Sequence, residues 1–498
     1  MQKPLHTLLF IFCVCLVLLG ISFVFPENGI YINETFSIRF PTVQSLFFQK
    51  KEEKVDISKI IELADEEDKA TEDSTLKKDS VSTLDSSEIE KPIGTKLMAT
   101  SASTVQLSTE IQYKNENKSA LAKFFDALAH IDNESKSIRI LHYGDSQIEG
   151  DRITDYLRLK LQNQFGGEGP GLVSFMPVAS SVINKMSWSP TWDRYPVFAG
   201  KDKRVNHNNF GALAHITRFS AYNTITDTSS IKSAWVKIMT SKNGGEKAAA
   251  YKKMKLFYGG SQSKTYMELY ENGTLNSSDS LVPGGNFNIK EFSLNQSALL
   301  HEFRFKGKDS PDFYGLSLEG GKGVMVDNFG LRGSSGTFFN QINFTQLKNF
   351  YDYLNVKLII LQFGGNSLPY IETPEQAANF GKYLKYQIGI IKKVAPQASI
   401  LVIGPADMSV KEGTEYVTHP QLENLRDAIR QNAFDMDCAF FDMYACMGGR
   451  NSMLAWVEQG IAARDYIHFS PAGARKIAVL LYASLSKDYN NYIKKEKQ

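Results

Sequence analysis

The sequence predicts an α/β protein with a mainly parallel sheet, a β-sandwich inserted into it and a membrane-spanning helix at its N-terminus. Three observations carry that expectation. Strand-like apolar runs alternate with helix-like segments around 120–164 and again from 357 onward, the signature of βα units. Between these stretches, from about 187 to 320, short alternating pieces such as SAWVKIMT, KMKLFYG and LLHEFRFKG are separated by Gly-Gly, Asn-Gly and Pro-Gly-Gly turns. That pattern points to a sandwich or jelly roll. Residues 8–25, LLFIFCVCLVLLGISFVF, form an apolar run long enough to span a bilayer.

The N-terminal run follows Lys3 and is succeeded by Pro26, Glu27 and Asn28, with no small-x-small cleavage site. An uncleaved anchor is therefore expected over 1–26, with the bulk of the chain outside the cytoplasm; cleaved secretion is the alternative. Residues 27–118 are expected to be an extracytoplasmic tether. Their core, LADEEDKATEDSTLKKDSVSTLDSSEIEK, is rich in charge and hydroxyls and has no sustained apolar face. The α/β domain is expected over 119–186 and 321–498, with the β-sandwich inserted over 187–320. A net charge of +2 gives no electrostatic case for nucleic acid as a partner. Cys438 and Cys446 are the cysteines outside the apolar run, either as a disulfide or as two buried thiols. Cys and His cluster too little to argue for zinc, and no metal or cofactor is expected.

The chemistry-bearing residues begin at IRILHYGDSQIEGDR, residues 138–152. An apolar strand stops at Gly144-Asp145-Ser146, and a helix-compatible pattern runs on from Gln147. This places a hydroxyl at the carboxyl edge of a sheet, near the NH groups of a helix start. A serine nucleophile needs a base and an anion-stabilising pocket. Asp465 stands three residues before His468, so its carboxylate can hold the Nδ1 proton and free Nε2 as a base. Residues 330–336, GLRGSSG, supply a tight turn with inward NH groups around Gly333. The strand LIILQFGGN ends in Asn366, whose amide can donate to an oxyanion.

These four pieces, in this order, resemble the SGNH (GDSL-like) hydrolase superfamily. The resemblance rests on Gly-Asp-Ser at Ser146, the Asn-x-Gly-x-x-Gly setting from Asn328 that ends in Gly333, Gly-x-Asn at Asn366, and Asp-x-x-His at Asp465 and His468. It implies a flavodoxin-like three-layer fold, a nucleophile at Ser146, a base at His468 oriented by Asp465, and an oxyanion hole from the NH groups of Ser146 and Gly333 with the Asn366 amide. Two positions depart from the common pattern: Gln147, where many members have leucine, and Ser367, where many have an acidic residue. The layout is similar to extracytoplasmic peptidoglycan and polysaccharide O-acetylesterases with an inserted carbohydrate-module-like β domain. It implies an acylated glycan as substrate and a periplasmic site on a bacterial inner membrane. Related proteins run the same chemistry as acetyl transfer beside a membrane-bound acyltransferase, which is the alternative activity and partner. A non-catalytic glycan-binding scaffold is the alternative of another class.

Other polar residues have expectations of their own. Asp145 is expected to bond turn NH groups, and His142 to be a core histidine. Arg332 and Gln362 either face the pocket or brace loops, and Asp407 either lines the site or holds a turn. Trp188, Trp192, Tyr195 and Tyr222 form either a sugar-stacking surface or sandwich core.

Overall fold

The computed structural model describes residues 3–26, 30–33, 36–38, 40–43, 55–76, 109–222, 230–295, 299–413 and 415–496. Residues up to Lys54 and residues from Val55 form separate compact units. The first contains the helix Lys3–Val24 and an antiparallel hairpin of Ile30–Asn33 with Phe36–Ile38. Within that helix Pro4–Val24 is long and apolar enough to cross a membrane, a property shared by membrane anchors and signal sequences.

The second unit is built on a six-stranded sheet. Its order is Val324–Gly330, Ile138–Gly144, Val356–Gln362, Ser399–Ile403, Ala439–Phe441 and Ile111–Gln112. The first five strands are parallel, and the last pairs antiparallel. These strands are apolar on both faces because both are covered. Leu141 and Tyr143 pack with helices Phe344–Tyr353, Pro374–Val394 and Leu422–Asp435 on one side. Ile138 and Ile140 pack with Ala122–Ala129, Thr154–Phe165 and Pro471–Glu496 on the other. Gly144 lies level with both Gly330 and Gln362, so the loops that follow three neighbouring strands emerge at one edge.

Two antiparallel sheets lie between the first and second parts of this domain in the chain. One holds Asn288–Ser293, Lys253–Gly259, Asp312–Glu319, His215–Arg218 and Asp193–Pro196, with Gly171–Val173 added against Asp312–Glu319. The other holds Thr274–Leu281, Thr265–Glu271, Leu300–Gly307, Lys232–Thr240 and Asn184–Trp188. Val236, Met267 and Phe303 from the second meet Met254, Leu256 and Leu316 from the first in one core. The seam with the parallel sheet is charged. Buried Arg139 donates through Nη1 to both oxygens of Asp327, at 2.9 and 3.0 Å, and through Nη2 to Ser317 and Glu319. Asp327 also accepts the NH of Leu172 at 2.9 Å.

Several expectations are corrected. Ser58–Leu76, inside the expected tether, is a helix; Ile57, Ile60 and Ala64 are buried in the same core as Pro471–Glu496. Asp68 accepts from Arg475, and Asp65 from Lys476. The apolar residues are few but spaced to meet one neighbour, a tertiary contact that composition does not reveal. Residues 77–108 of that expected tether lie outside the described residues. The sheet already gains Ile111–Gln112 before residue 119, and the expected boundary at 187 falls within Asn184–Trp188. Cys438 and Cys446 are free buried thiols in the cores on opposite sides of the sheet, so they do not pair. Burial pushes the Cys438 thiol up to about 12.

Candidate active site

The serine turn differs from the expected strand-to-helix corner. Ser146–Asp151 is a short 3-10 turn, broken by Gly150 at φ 64° and Asp151 at φ 68°, and the α-helix begins only at Thr154. An α-helix start therefore does not supply the NH groups at Ser146. The turn is held instead by Asp145, whose Oδ1 accepts the Gln147 NH at 3.0 Å. Gly330 packs closely beside the turn; a Cβ there would sit 3.1 Å from the Cα of Glu149.

Ser146 Oγ lies 2.8 Å from His468 Nε2, and His468 Nδ1 lies 2.8 Å from Asp465 Oδ2. The three sequence-predicted residues are thus in one hydrogen-bonded line, although 322 positions separate the serine from the histidine. The second oxygen of Asp465 accepts the NH groups of Ile467 and His468, each at 3.0 Å. Burial of Asp465 opposes its charge, but these NH groups and the imidazole hold its pKa below the usual carboxylate value. To fold back this tightly the chain places Tyr466 at φ 58°, a left-handed conformation costly for an aromatic residue. A hairpin of Ser409–Glu412 and Glu415–Thr418 secures it. Tyr416 stacks on Tyr466 with ring centroids 3.8 Å apart, and the Ser409 NH donates to the Tyr466 carbonyl at 3.1 Å.

A cavity of about 200 Å³ contains Ser146, Asn366 and His468, with Gln362, Tyr370 and Met443 also on its wall. Gly333 does not line it; it borders an adjoining opening, which Asn366 and Tyr370 share. Gly333 has φ 79°, and a Cβ there would meet open space. Asn366 Nδ2 donates to the Ser334 carbonyl at 3.2 Å, which ties the glycine turn to the asparagine loop. Asn366 therefore joins the serine and glycine positions, whereas Gly333 stands one step further out.

Residues with open expectations now separate. Arg332 braces loops: its Nε and Nη2 donate to the two oxygens of buried Glu149, each at 2.7 Å. Gln362 does both, lining the cavity and accepting from His142 Nε2 at 3.0 Å. His142 is a core histidine. Burial pulls its pKa down to about 4, so it is neutral, and its Nδ1 lies 3.1 Å from the Thr154 hydroxyl. Asn328 donates to Thr154 at 2.7 Å and to the Ile148 carbonyl at 2.8 Å, linking the glycine strand to the serine turn. Asp407 touches the cavity but is fully used, accepting from Thr418 Oγ1 at 2.8 Å and the Met453 NH at 2.7 Å. In the β sheets Trp192 and Tyr195 are buried core, and Tyr222 donates to Asp312. Trp188 is partly buried against the same core as Trp192, so the four aromatics form no common stacking surface.

Gln147 gains a role that the sequence marked only as a departure from leucine. Its Nε2 donates to the Ile467 carbonyl at 2.6 Å, and its Oε1 accepts the Phe469 NH at 3.4 Å. It grips the backbone on both sides of His468, which leucine cannot do.

A serine bonded to a histidine–aspartate pair at the carboxyl edge of a parallel sheet, with helices on both faces, is arranged for acyl chemistry through a serine nucleophile. The GDSL-like lipase/acylhydrolase family model matches residues 307–476, which hold Gly333, Asn366, Asp465 and His468. A solved peptidoglycan O-acetylesterase is similar over 74% of this chain and 96% of its own, with 22% identity and a TM-score of 0.57. An acetyl xylan esterase matches 32% of this chain and 81% of its own at 17% identity and a TM-score of 0.26. A family two carbohydrate esterase from Clostridium thermocellum matches 52% of this chain and 92% of its own at 10% identity and a TM-score of 0.23. No curated protein sequence matches. The chain carries a GDSL-like acylhydrolase domain in an SGNH fold and is, by class, a carboxylic ester hydrolase.

Proposed function

We propose that this protein removes O-acetyl groups from a cell-wall or extracellular glycan through an acyl-serine intermediate. The observation that carries the reading is the line from Ser146 Oγ to His468 Nε2 to Asp465, each link 2.8 Å long. His468 Nε2 takes the serine proton as Oγ bonds to the acetyl carbon. The oxyanion is met by the NH group of Ser146 and the amide of Asn366, which share the cavity, while Gly333 borders only the adjoining opening. Collapse breaks the bond to the sugar oxygen, which receives the proton from His468. Water then adds to the acyl-serine and gives its proton to His468. Acetate leaves, and the proton returns to Ser146.

Acetyl as the acyl group is supported by the size of the cavity, about 200 Å³ and shared with protein loops, which suits a short acyl chain. Glycan as the acceptor of that ester is supported by the likeness to the peptidoglycan O-acetylesterase structure over nearly its whole length. The two antiparallel sheets are, in this reading, a jelly-roll carbohydrate module. Tyr370, 82% exposed where the two openings meet, is the aromatic surface available to a sugar ring. The apolar N-terminal helix holds the protein at the outer side of the membrane.

The test follows acetate release from O-acetylated cell-wall glycan by the full-length protein and its Ser146→Ala variant, with and without acceptor oligosaccharide. Serine-dependent acetate in water is the expected result. Serine-dependent acetylation of the acceptor would replace hydrolysis by transfer, and no serine-dependent release would overturn the reading.

A further inference from the structure

A second cavity, of about 90 Å³, lies behind the serine turn, between the parallel domain and the antiparallel sheets. Its wall includes Glu149, Asp151, Arg158, Asn184, Arg194 and His215. Three buried donor atoms on this wall have no acceptor among the described residues: Arg158 Nη1, Asn184 Nδ2 and Arg194 Nε. A buried donor without an acceptor is costly, so three around one small space call for an acceptor-rich guest.

The charges specify its sign. Asp151 is matched by Arg158 Nη2 at 2.9 Å, and Glu149 by Arg332. Although Glu149 on the same wall acts on it at longer range, Arg194 makes no ion pair among the described residues. Its Nη2 lies 3.3 Å from His215 Nδ1, but that nitrogen is 2.8 Å from the Leu213 carbonyl and so carries the proton. His215 Nε2 then accepts from Ser174 Oγ at 2.7 Å, and the imidazole is neutral because burial and Arg194 hold its pKa far down. Burial lowers Arg194 to about 10, and the nearby Glu149 carboxylate, already paired with Arg332, offsets this only in part. A guanidinium with free N–H groups fits a carboxylate in planar, two-point contact. The cavity has room for a carboxylate group.

We propose that this cavity is a carboxylate-binding site, with Arg194 as its unmatched cation and Arg158 and Asn184 as further donors. The carboxylate has two sources of the same chemistry: an acidic sugar of the glycan, whose ring stays outside, or acetate freed by the enzyme. The acetate source rests on the proposed deacetylation, whereas carboxylate binding does not. Because the wall is made by Glu149 to Asp151, in the turn that starts at Ser146, occupancy bears directly on the serine turn.

The experiment titrates full-length Ser146→Ala protein in detergent with acetate, glucuronate and glucuronate methyl ester by calorimetry. Saturable binding of acetate or glucuronate, absent for the ester, is expected. Arg194→Gln should weaken it ~10–100-fold, the worth of a charge-assisted hydrogen bond. Arg194→Lys should recover part of the loss. Acetate binding alone assigns the product as ligand; glucuronate binding in competition with acetate assigns the glycan. No saturable binding of either acid, or binding indifferent to Arg194→Gln, overturns the proposal. Should Arg194→Gln fail to fold, the parent titration and Arg194→Lys still decide. Turnover of p-nitrophenyl acetate by the protein with Ser146 intact, measured separately, tells failure of this site from failure of the esterase reading.

Discussion

Two charged regions flank the serine turn, and they are built on opposite plans. At the sheet edge Asp465 and His468 stay 46% and 31% exposed, and Asp465 contacts residues only two and three positions away. At the seam Arg139 and Asp327 are 3% and 0% exposed and lie 188 positions apart. The edge is open to a substrate and to water. The seam is closed, and its charges lock the antiparallel sheets onto the parallel domain. The Asp465–His468 pair is local and wet, while the support for the site is remote and dry.

That contrast can be broken from either side. The largest effect belongs to the edge. Ser146→Ala or His468→Ala should lower kcat/KM for p-nitrophenyl acetate by ~10⁴-fold or more with an unchanged melting temperature. The seam should behave inversely. Asp327→Ala leaves Arg139 buried without its main partner and should destabilise the protein by about 3–5 kcal/mol in denaturant unfolding, with the turnover of the folded fraction retained. Asn366→Ala should cost on the order of 10²-fold in kcat, the typical worth of one oxyanion donor, and about 1 kcal/mol of stability for the lost bond to Ser334.

A finer test lies where the two plans meet. Gln147→Leu removes both bonds to the backbone around His468 and should lower kcat by ~10-fold with KM little changed, the worth of about one hydrogen bond. Activity retained in Gln147→Glu, which keeps the shape but cannot donate to the Ile467 carbonyl, would show that packing, and not the grip on both Ile467 and Phe469, matters. The smallest effect is a pH slope. Burial raises Asp145 from 3.8 to about 6 in the folded protein. Between these values the folded state binds the proton more strongly than the unfolded chain, so stability falls as pH rises through the window. Asp145→Asn should flatten that slope between about pH 4 and 6 in melting curves.

The same contrast explains what was legible in the sequence. The edge residues announce themselves because their chemistry needs fixed types at short spacing, as in Asp465-x-x-His468 and Gly144-Asp145-Ser146. The parallel sheet was equally legible, since strands buried on both faces read as unbroken apolar runs. The helix over Ser58–Leu76 was not, because its few apolar residues acquire meaning only from Pro471–Glu496. Nor was Gln147, whose partners are backbone atoms with no side-chain signature. The aromatics Trp192 and Tyr195 were ambiguous for a related reason: composition cannot tell a ring facing a sugar from a ring facing Phe305 or Tyr222.

The central claim is that Ser146 carries the acyl group. The direct measurement is a brief incubation of the full-length protein with p-nitrophenyl acetate, an acid quench, and mass analysis of its peptides. The account predicts an acetyl adduct on the peptide holding Ser146, absent from Ser146→Ala along with turnover. An adduct elsewhere, with turnover surviving in Ser146→Ala, would contradict it.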